Sequence, residues 1–361
     1  MKEIMKKCGK TLLLPVIVYG VFLIICFKRF NNLNCVYTIF LQSIVPTITA
    51  YAYAFIYMSG LFDFTIGSRI IIGGLVGGIA SARFGMAGLL IGALAASVLA
   101  AALTGILNWI CKIPSLILTM ALTMIFEIMG KNISGKFSFV SIDYKYAALG
   151  SAPYIIIVLF VSAVVFYFIF NHTKFSYHMR AVGSNEAVSR NAGIHVQRVK
   201  VLCFVIGSLF AAVSAVLTIS QSGSMGAQTN LGSAALLFKP LMGIIIAVVL
   251  QPVCNMTIGI FISQFTLNTI FIGLIAAGFP DTFQNIFLGI FLLIVMVFTN
   301  NVEGLKELLH KKPALRLKRP NNVLEKGETT DGISCNYRGR EKKAAGTSVR
   351  ESGNGAGYGY L

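Results

Sequence analysis

The sequence predicts an all-α polytopic bundle of transmembrane helices, with about ten spans and both termini cytoplasmic. Three observations predict it. Of 361 residues, 56% are hydrophobic and only 12% are charged. The mean hydropathy is +0.78, far from the soluble average. The apolar residues gather into runs of helix length separated by short polar stretches, and backbone in hydrocarbon must be satisfied within its own segment.

Ten runs can be marked, at 11–27, 37–58, 65–82, 86–110, 114–130, 152–170, 199–221, 233–250, 254–277 and 281–299. Met1 to Phe30 has the basic start and apolar core of a secretion signal. Cys26 follows Ile25 rather than a small residue, so this run is predicted to stay as the first span. With the N-terminus inside, 22 Lys and Arg residues fall on the cytoplasmic side and 6 on the other. The net charge of +17 therefore reads as span-flanking and tail charge. No basic groove with interleaved aromatics is visible, and nucleic acid is not expected as a partner.

Between the second and third runs, SGLFDFTIGSR (Ser59 to Arg69) is a polar, glycine-bounded break carrying Asp63, Ser68 and Arg69. A carboxylate at membrane depth is costly. Asp63 can pair with Arg69, cap the next helix or line a polar pathway. Gly73, Gly74, Gly77, Gly78, Gly88 and Gly92 predict close packing of the third and fourth runs. Glu127 and Lys239 are read as side chains near an interface that snorkel to water, or as pathway residues. GKNISGKF (130–137) nearly spells a phosphate-binding loop, but Phe137 stands where the magnesium-binding hydroxyl belongs and no strand precedes it.

The longest internal polar stretch is His172 to Lys200. Ser184 or Asn185 can cap a short helix with Glu186 in its first turn and Gly193 as its stop. Glu186 and Arg190 stand in favourable i,i+4 order, and Ala187, Val188 and Ala192 form a small apolar face suited to a partner's groove. The alternative is an ordinary basic loop marking the cytoplasmic side, with Lys174, Arg180, Arg198 and Lys200 at the inner surface. Residues 1–300 read as one membrane domain. The segment 301–361 reads as a basic, disordered cytoplasmic tail whose start can meet anionic lipid.

The seven cysteines show no CxxC spacing, no metal site is indicated, and no catalytic triad or nucleotide loop can be assembled. The four histidines, His172, His178, His195 and His310, all lie in polar stretches. The chain therefore reads as a non-enzymatic transport subunit driven from elsewhere.

RAVGSNEAVSRNAGIHVQRVK resembles the coupling loop of permease subunits of bacterial ABC sugar importers, the ribose, xylose and galactose class. Gly183, Asn185, Glu186, Ala187, Gly193 and Ile194 match its motif, while Val188 and Ser189 occupy positions where alanine is common. SGLFDFTIGS, with Asp63, Gly67 and Ser68, and IPSLILTM (Ile113 to Met120) resemble further family segments. So do Leu267 to Leu274, including Asn268, and Phe279 to Gly289. The resemblance covers roughly 35–300; the eighth run departs from the family pattern at Lys239, Pro240 and Pro252.

The resemblance implies a multi-pass protein of the bacterial cell membrane that imports a sugar or related polar solute. It implies a cytoplasmic ABC ATPase carrying ATP and magnesium, with no cofactor in this chain, and an extracytoplasmic substrate-binding protein. A second copy or a sister permease completes the pathway. Coupling to the ATPase falls on Gly183, Asn185, Glu186, Ala187, Arg190, Gly193 and Ile194. Asp63, Ser68, Arg69 and Asn268 are the candidate pathway or structural polar residues. The alternatives are an ion-coupled secondary transporter and a non-transporting partner subunit.

Overall fold

A computed structural model describes residues 2–251, 253–280, 283, 284, 286–290 and 293, with side chains from Leu12 onward. The tail 301–361 and most of the tenth predicted run lie outside the described residues. Helix dominates: α1 (Lys2–Ile25), α2 (Leu33–Met58), α3 (Thr65–Cys111), α4 (Ser115–Ser134) and α5 (Tyr154–His172) come first. Then follow α6 (Lys174–Ser184), α7 (Glu186–Asn191), α8 (Val196–Ser222), α9 (Ala235–Leu250) and α10 (Met256–Ala276). Seven described helices are long and apolar enough to cross a membrane.

The third and fourth predicted runs are the two arms of α3. At 47 residues α3 is far longer than a bilayer requires, and it breaks at Gly85, whose φ of +63° few L-residues tolerate. The arms fold back on each other: a side chain at Gly77 would meet the Leu89 carbonyl at 2.7 Å, and one at Gly92 would meet the Gly77 Cα at 3.1 Å. The glycines expected to give close packing do so, because only hydrogen leaves room for the opposite backbone.

The helix α8 lies at the centre, packed on both α3 and α2. Where α2, α5 and α8 meet, aromatic rings fill the core: Tyr51 stacks on Phe166 at 4.4 Å, and Phe55 lies 5.2 Å from Phe166 and 5.8 Å from Phe210. The outer faces keep large apolar side chains exposed, such as Phe160 and Phe168 on α5 and Leu99 on α3. In water such a surface would aggregate; against acyl chains it costs nothing.

Two features go beyond the sequence reading. The segment after Lys131 leaves its helix at Ser134. Its strand β1 (Phe139–Ser141) pairs antiparallel with β2 (Ser224–Gly226), tying two connections together. The stretch 172–200 is not a loop carrying one helix; it holds α6 and α7 in succession, because Thr173 supplies an additional cap.

Candidate functional site

The polar stretch folds by local chemistry at each step. Thr173 Oγ1 accepts from the Ser176 N–H at 3.3 Å and starts α6. The Phe170 carbonyl at the end of α5 accepts from Ser176 Oγ and, at 2.9 Å, from Arg180 Nη2, whose guanidinium lies 4.6 Å from the Phe170 ring. A cation thus sits at the negative end of α5. Arg180 is consequently not a surface anchor but a brace folded onto the core.

Asn185, not Ser184, is the cap of α7: its Oδ1 accepts from the Val188 N–H at 3.0 Å. Ser184 instead closes α6, donating to the Ala181 carbonyl at 2.9 Å. Gly193, at φ +83°, ends α7. Its N–H donates to the Arg190 carbonyl and the Ile194 N–H to the Ser189 carbonyl, both at 3.0 Å. That pair of bonds is a Schellman closure, and the Ile194 side chain following it packs on the core.

Glu186 meets Arg190 at 3.4 Å, as the spacing predicts, and also meets Lys200 at 2.7 Å. Lys200 keeps only 15% of its side chain exposed, so this second bond pins α7 to the N-terminal part of α8. The Glu186 carboxylate is therefore occupied within the chain. The outward surface of α7 consists of Ala187, Val188, Arg190 and Ala192, all exposed.

Gly183 connects this surface to the bundle. A Cβ at Gly183 would collide with the Met58 carbonyl at the end of α2, and one at Gly60 would stand 3.6 Å from the Gly183 Cα. The last turn of α6 therefore rests on the polar break that precedes α3. This contact joins residues far apart in sequence, and only the glycine identities hinted at it.

In the break, two of the three readings of Asp63 hold together. One carboxylate oxygen accepts from the Thr65 N–H at 2.8 Å and from Thr65 Oγ1 at 2.6 Å, capping α3; the other pairs with Arg69, both side chains being fully buried. Ser68 donates to the Thr65 carbonyl at 2.9 Å. The Phe62 and Phe64 N–H groups donate to Ser115 Oγ at 3.1 Å and Thr119 Oγ1 at 3.2 Å. The hydroxyls of IPSLILTM thus satisfy backbone that the break leaves open.

Glu127 does not snorkel. It is buried and accepts from the Leu231 N–H at 2.9 Å and from the Ser233 N–H and Oγ at 2.8 and 2.6 Å. A carboxylate from α4 thereby caps the turn that leads into α9. Lys239 does not snorkel either: it turns inward to Asn268 Oδ1 and over the Phe271 ring, 4.8 Å from its centroid. Asn268 is held from the other side, its Nδ2 donating to Ser43 Oγ at 3.1 Å and to the Gln42 carbonyl at 3.4 Å. That carbonyl lacks its helical partner because Pro46, four residues on, carries no N–H. Among the described residues no group of His, Cys, Asp and Glu could hold a metal ion.

The structure is thus a bundle of apolar helices with two short helices, α6 and α7, braced on its core. A family model described as "branched-chain amino acid transport system / permease component" matches residues 35–296, and the chain belongs to that family of multi-pass bacterial membrane permeases. It is 26% identical to the autoinducer 2 import system permease protein LsrC of Enterobacter sp. (strain 638) over 289 residues, 78% of this chain and 82% of that protein. It is 30% identical to the L-arabinose transport system permease protein AraH of Escherichia coli K12 over 126 residues, 34% of this chain and 38% of that one. With the ribose import permease protein RbsC of the same strain it shares 22% over 210 residues, 54% of this chain and 64% of that one. No solved structure matches.

Proposed function

We propose that the chain is the membrane-spanning subunit of an ABC importer, moving a sugar or related small polar solute inward. Its relatives LsrC, AraH and RbsC, named as import or transport permeases for autoinducer 2, arabinose and ribose, support this reading. ATP and magnesium belong to a separate cytoplasmic ATPase, an extracytoplasmic binding protein delivers the cargo, and a second copy or a sister permease completes the pathway. Ten spans with both termini cytoplasmic place α6 and α7 inside. The permease domain covers 1–300 and the tail covers 301–361.

The observation that carries the proposal is the construction of α7. A helix of six residues is too short to persist alone, yet here a cap, a Schellman closure and the Glu186–Lys200 bond fix it while its apolar residues face outward. Closure of the ATPase moves α7 as a rigid body; Gly183 passes that movement to the ends of α2 and α3. The ion-coupled alternative has less support, since three of its four candidate residues, Asp63, Arg69 and Glu127, are committed to structural bonds; Lys239 has no ionic partner among the described residues.

Recruitment of the ATPase tests this. Val188→Asp places a charge on the outward face without touching a core contact, and Gly193→Val forces a branched side chain to positive φ. Co-purification with the cognate ATPase is expected to fall at least tenfold in both while the permease still inserts. Undiminished co-purification with full ATP-dependent uptake overturns the coupling assignment.

A further inference from the structure

The connection that follows α4 keeps two large aromatic side chains outside the core. Phe137 ends the single helical turn Gly135–Phe137 and is 79% exposed. Phe139, the first residue of β1, is 53% exposed, and the two rings lie 6.2 Å apart. Strand alternation fixes the direction of Phe139. Val140 turns inward, since a Cβ at Gly78 of α3 would stand 2.8 Å from its Cγ1, and Phe139 consequently points away from the bundle.

Three observations identify what the two rings meet. The first is continuity. One face of α4 stays exposed at helical spacing, through Ile117, Met124, Ile125, Ile128, Met129 and Ile133, the apolar stripe of a helix that borders acyl chains. The next step of that spacing falls on Lys136 and Phe137. The second is charge. The stripe is uncharged from Leu116 to Met129, about 20 Å along the helix axis, and then meets the exposed Lys131, Asn132 and Lys136. Hydrocarbon, then cation and aromatic, is the order found at a headgroup level. The third is depth. Gly78 precedes the Gly85 break, where α3 turns back, by two helical turns, so β1 lies about 10 Å short of that apex. Gly78 also faces Ile219, in the last turn of α8. The rings are therefore level with the helix ends and not raised above them.

The helix α4 starts at the break on which α6 rests, with the Phe62 N–H donating to Ser115 Oγ, so its last turn lies at the other end of the bundle. Among the described residues neither Lys131 nor Lys136 pairs with a carboxylate; Asp143 bonds Lys145 at 3.3 Å.

We propose that Phe137 and Phe139 insert at the boundary of headgroups and acyl chains in the leaflet opposite α6 and α7, and that Lys131 and Lys136 meet the phosphate of an anionic phospholipid there. Because β1 pairs with β2, the same anchor holds the connection between α8 and α9 at the bilayer surface. The contact is independent of the cargo and of the ATPase.

The chain holds one tryptophan, Trp109, at the far end of the second arm of α3. In a Trp109→Phe background, Phe137→Trp and Phe139→Trp each report on one ring, with the full chain in nanodiscs. Phosphatidylcholine brominated high on its acyl chains is expected to quench both at least twice as strongly as the same lipid brominated near the chain ends. Aqueous acrylamide is expected to reach both poorly. Water-like emission without bromine quenching in either variant overturns the proposal and leaves the face to a soluble partner. Stronger quenching from the chain ends overturns it as well, because the rings would then lie in the hydrocarbon.

The anion is tested in mixed nanodiscs. Brominated phosphatidylglycerol is expected to quench at least twofold more than brominated phosphatidylcholine at equal mole fraction. Lys131→Gln combined with Lys136→Gln removes that excess and keeps the depth profile. Salt at about 1 M, which shortens the screening length to about 3 Å, lowers the excess too. Equal quenching by the two lipids, or an excess that survives the double substitution, overturns the anionic assignment. All four substituted positions are exposed, so the core packing is left as it is.

Discussion

Arg69 and Lys239 are both cations within one helical bundle, and their surroundings differ in one respect. Arg69 is fully buried against Asp63, whose other oxygen caps α3, so the pair is neutral and serves to join two helices across a break. Lys239 is half-buried and is held by the Asn268 amide oxygen and the Phe271 ring face. A buried charge with a partner is an architectural device; one without a partner is a group waiting for a counter-charge. The contrast separates the two polar clusters into a neutral ion pair that joins helices across a break and a hydrogen-bonded amine that keeps its charge.

The largest effect that would sharpen the comparison is at Asp63. Asp63→Ala leaves Arg69 uncompensated and the Thr65 N–H without its cap, a loss of about 3–5 kcal/mol. The expected outcome is a protein that fails to accumulate in the membrane or melts early in detergent. Wild-type yield and melting would show that the pair is dispensable and would break the contrast. Glu127→Ala comes next. It orphans the Leu231 and Ser233 N–H groups, at about 2–3 kcal/mol. The damage is expected to concentrate at the start of α9, read as faster hydrogen exchange over 229–240 with the α2–α8 core unchanged.

The sequence carried the local parts of this structure well. Asn185, Glu186, Gly193 and Ile194 define α7 because caps, a dipole-matched carboxylate and a positive-φ stop act over a few residues. The break at 59–69 was legible for the same reason, and its open question resolved because Asp63 has two oxygens and uses each for a different reading. What stayed hidden is long-range. Glu127 meets Ser233 across 106 residues, and Lys200 takes the carboxylate that an isolated helix would show to a partner. Gly183 reads as an ordinary motif residue until the Met58 carbonyl is found against it. Pro46 and Asn268 compensate each other from separate helices, which no pattern along the chain records.

The smallest expected effect on stability tests the comparison most directly. Lys239→Met keeps nearly the same length and volume while removing the charge, and it leaves Asn268 Oδ1 without its donor. Replacing an uncompensated buried cation by an apolar group of its own size relieves desolvation, and that gain is set against about 1–3 kcal/mol for leaving the buried Asn268 Oδ1 unpaired. Melting in detergent is therefore expected to be unchanged or raised, the opposite sign from Asp63→Ala, although both substitutions delete one charge from the same bundle. A Lys239→Met protein that is destabilised as severely as Asp63→Ala would show that the ammonium holds α9 to α10 as Arg69 holds α3. Lys239 would then be a strut like its counterpart.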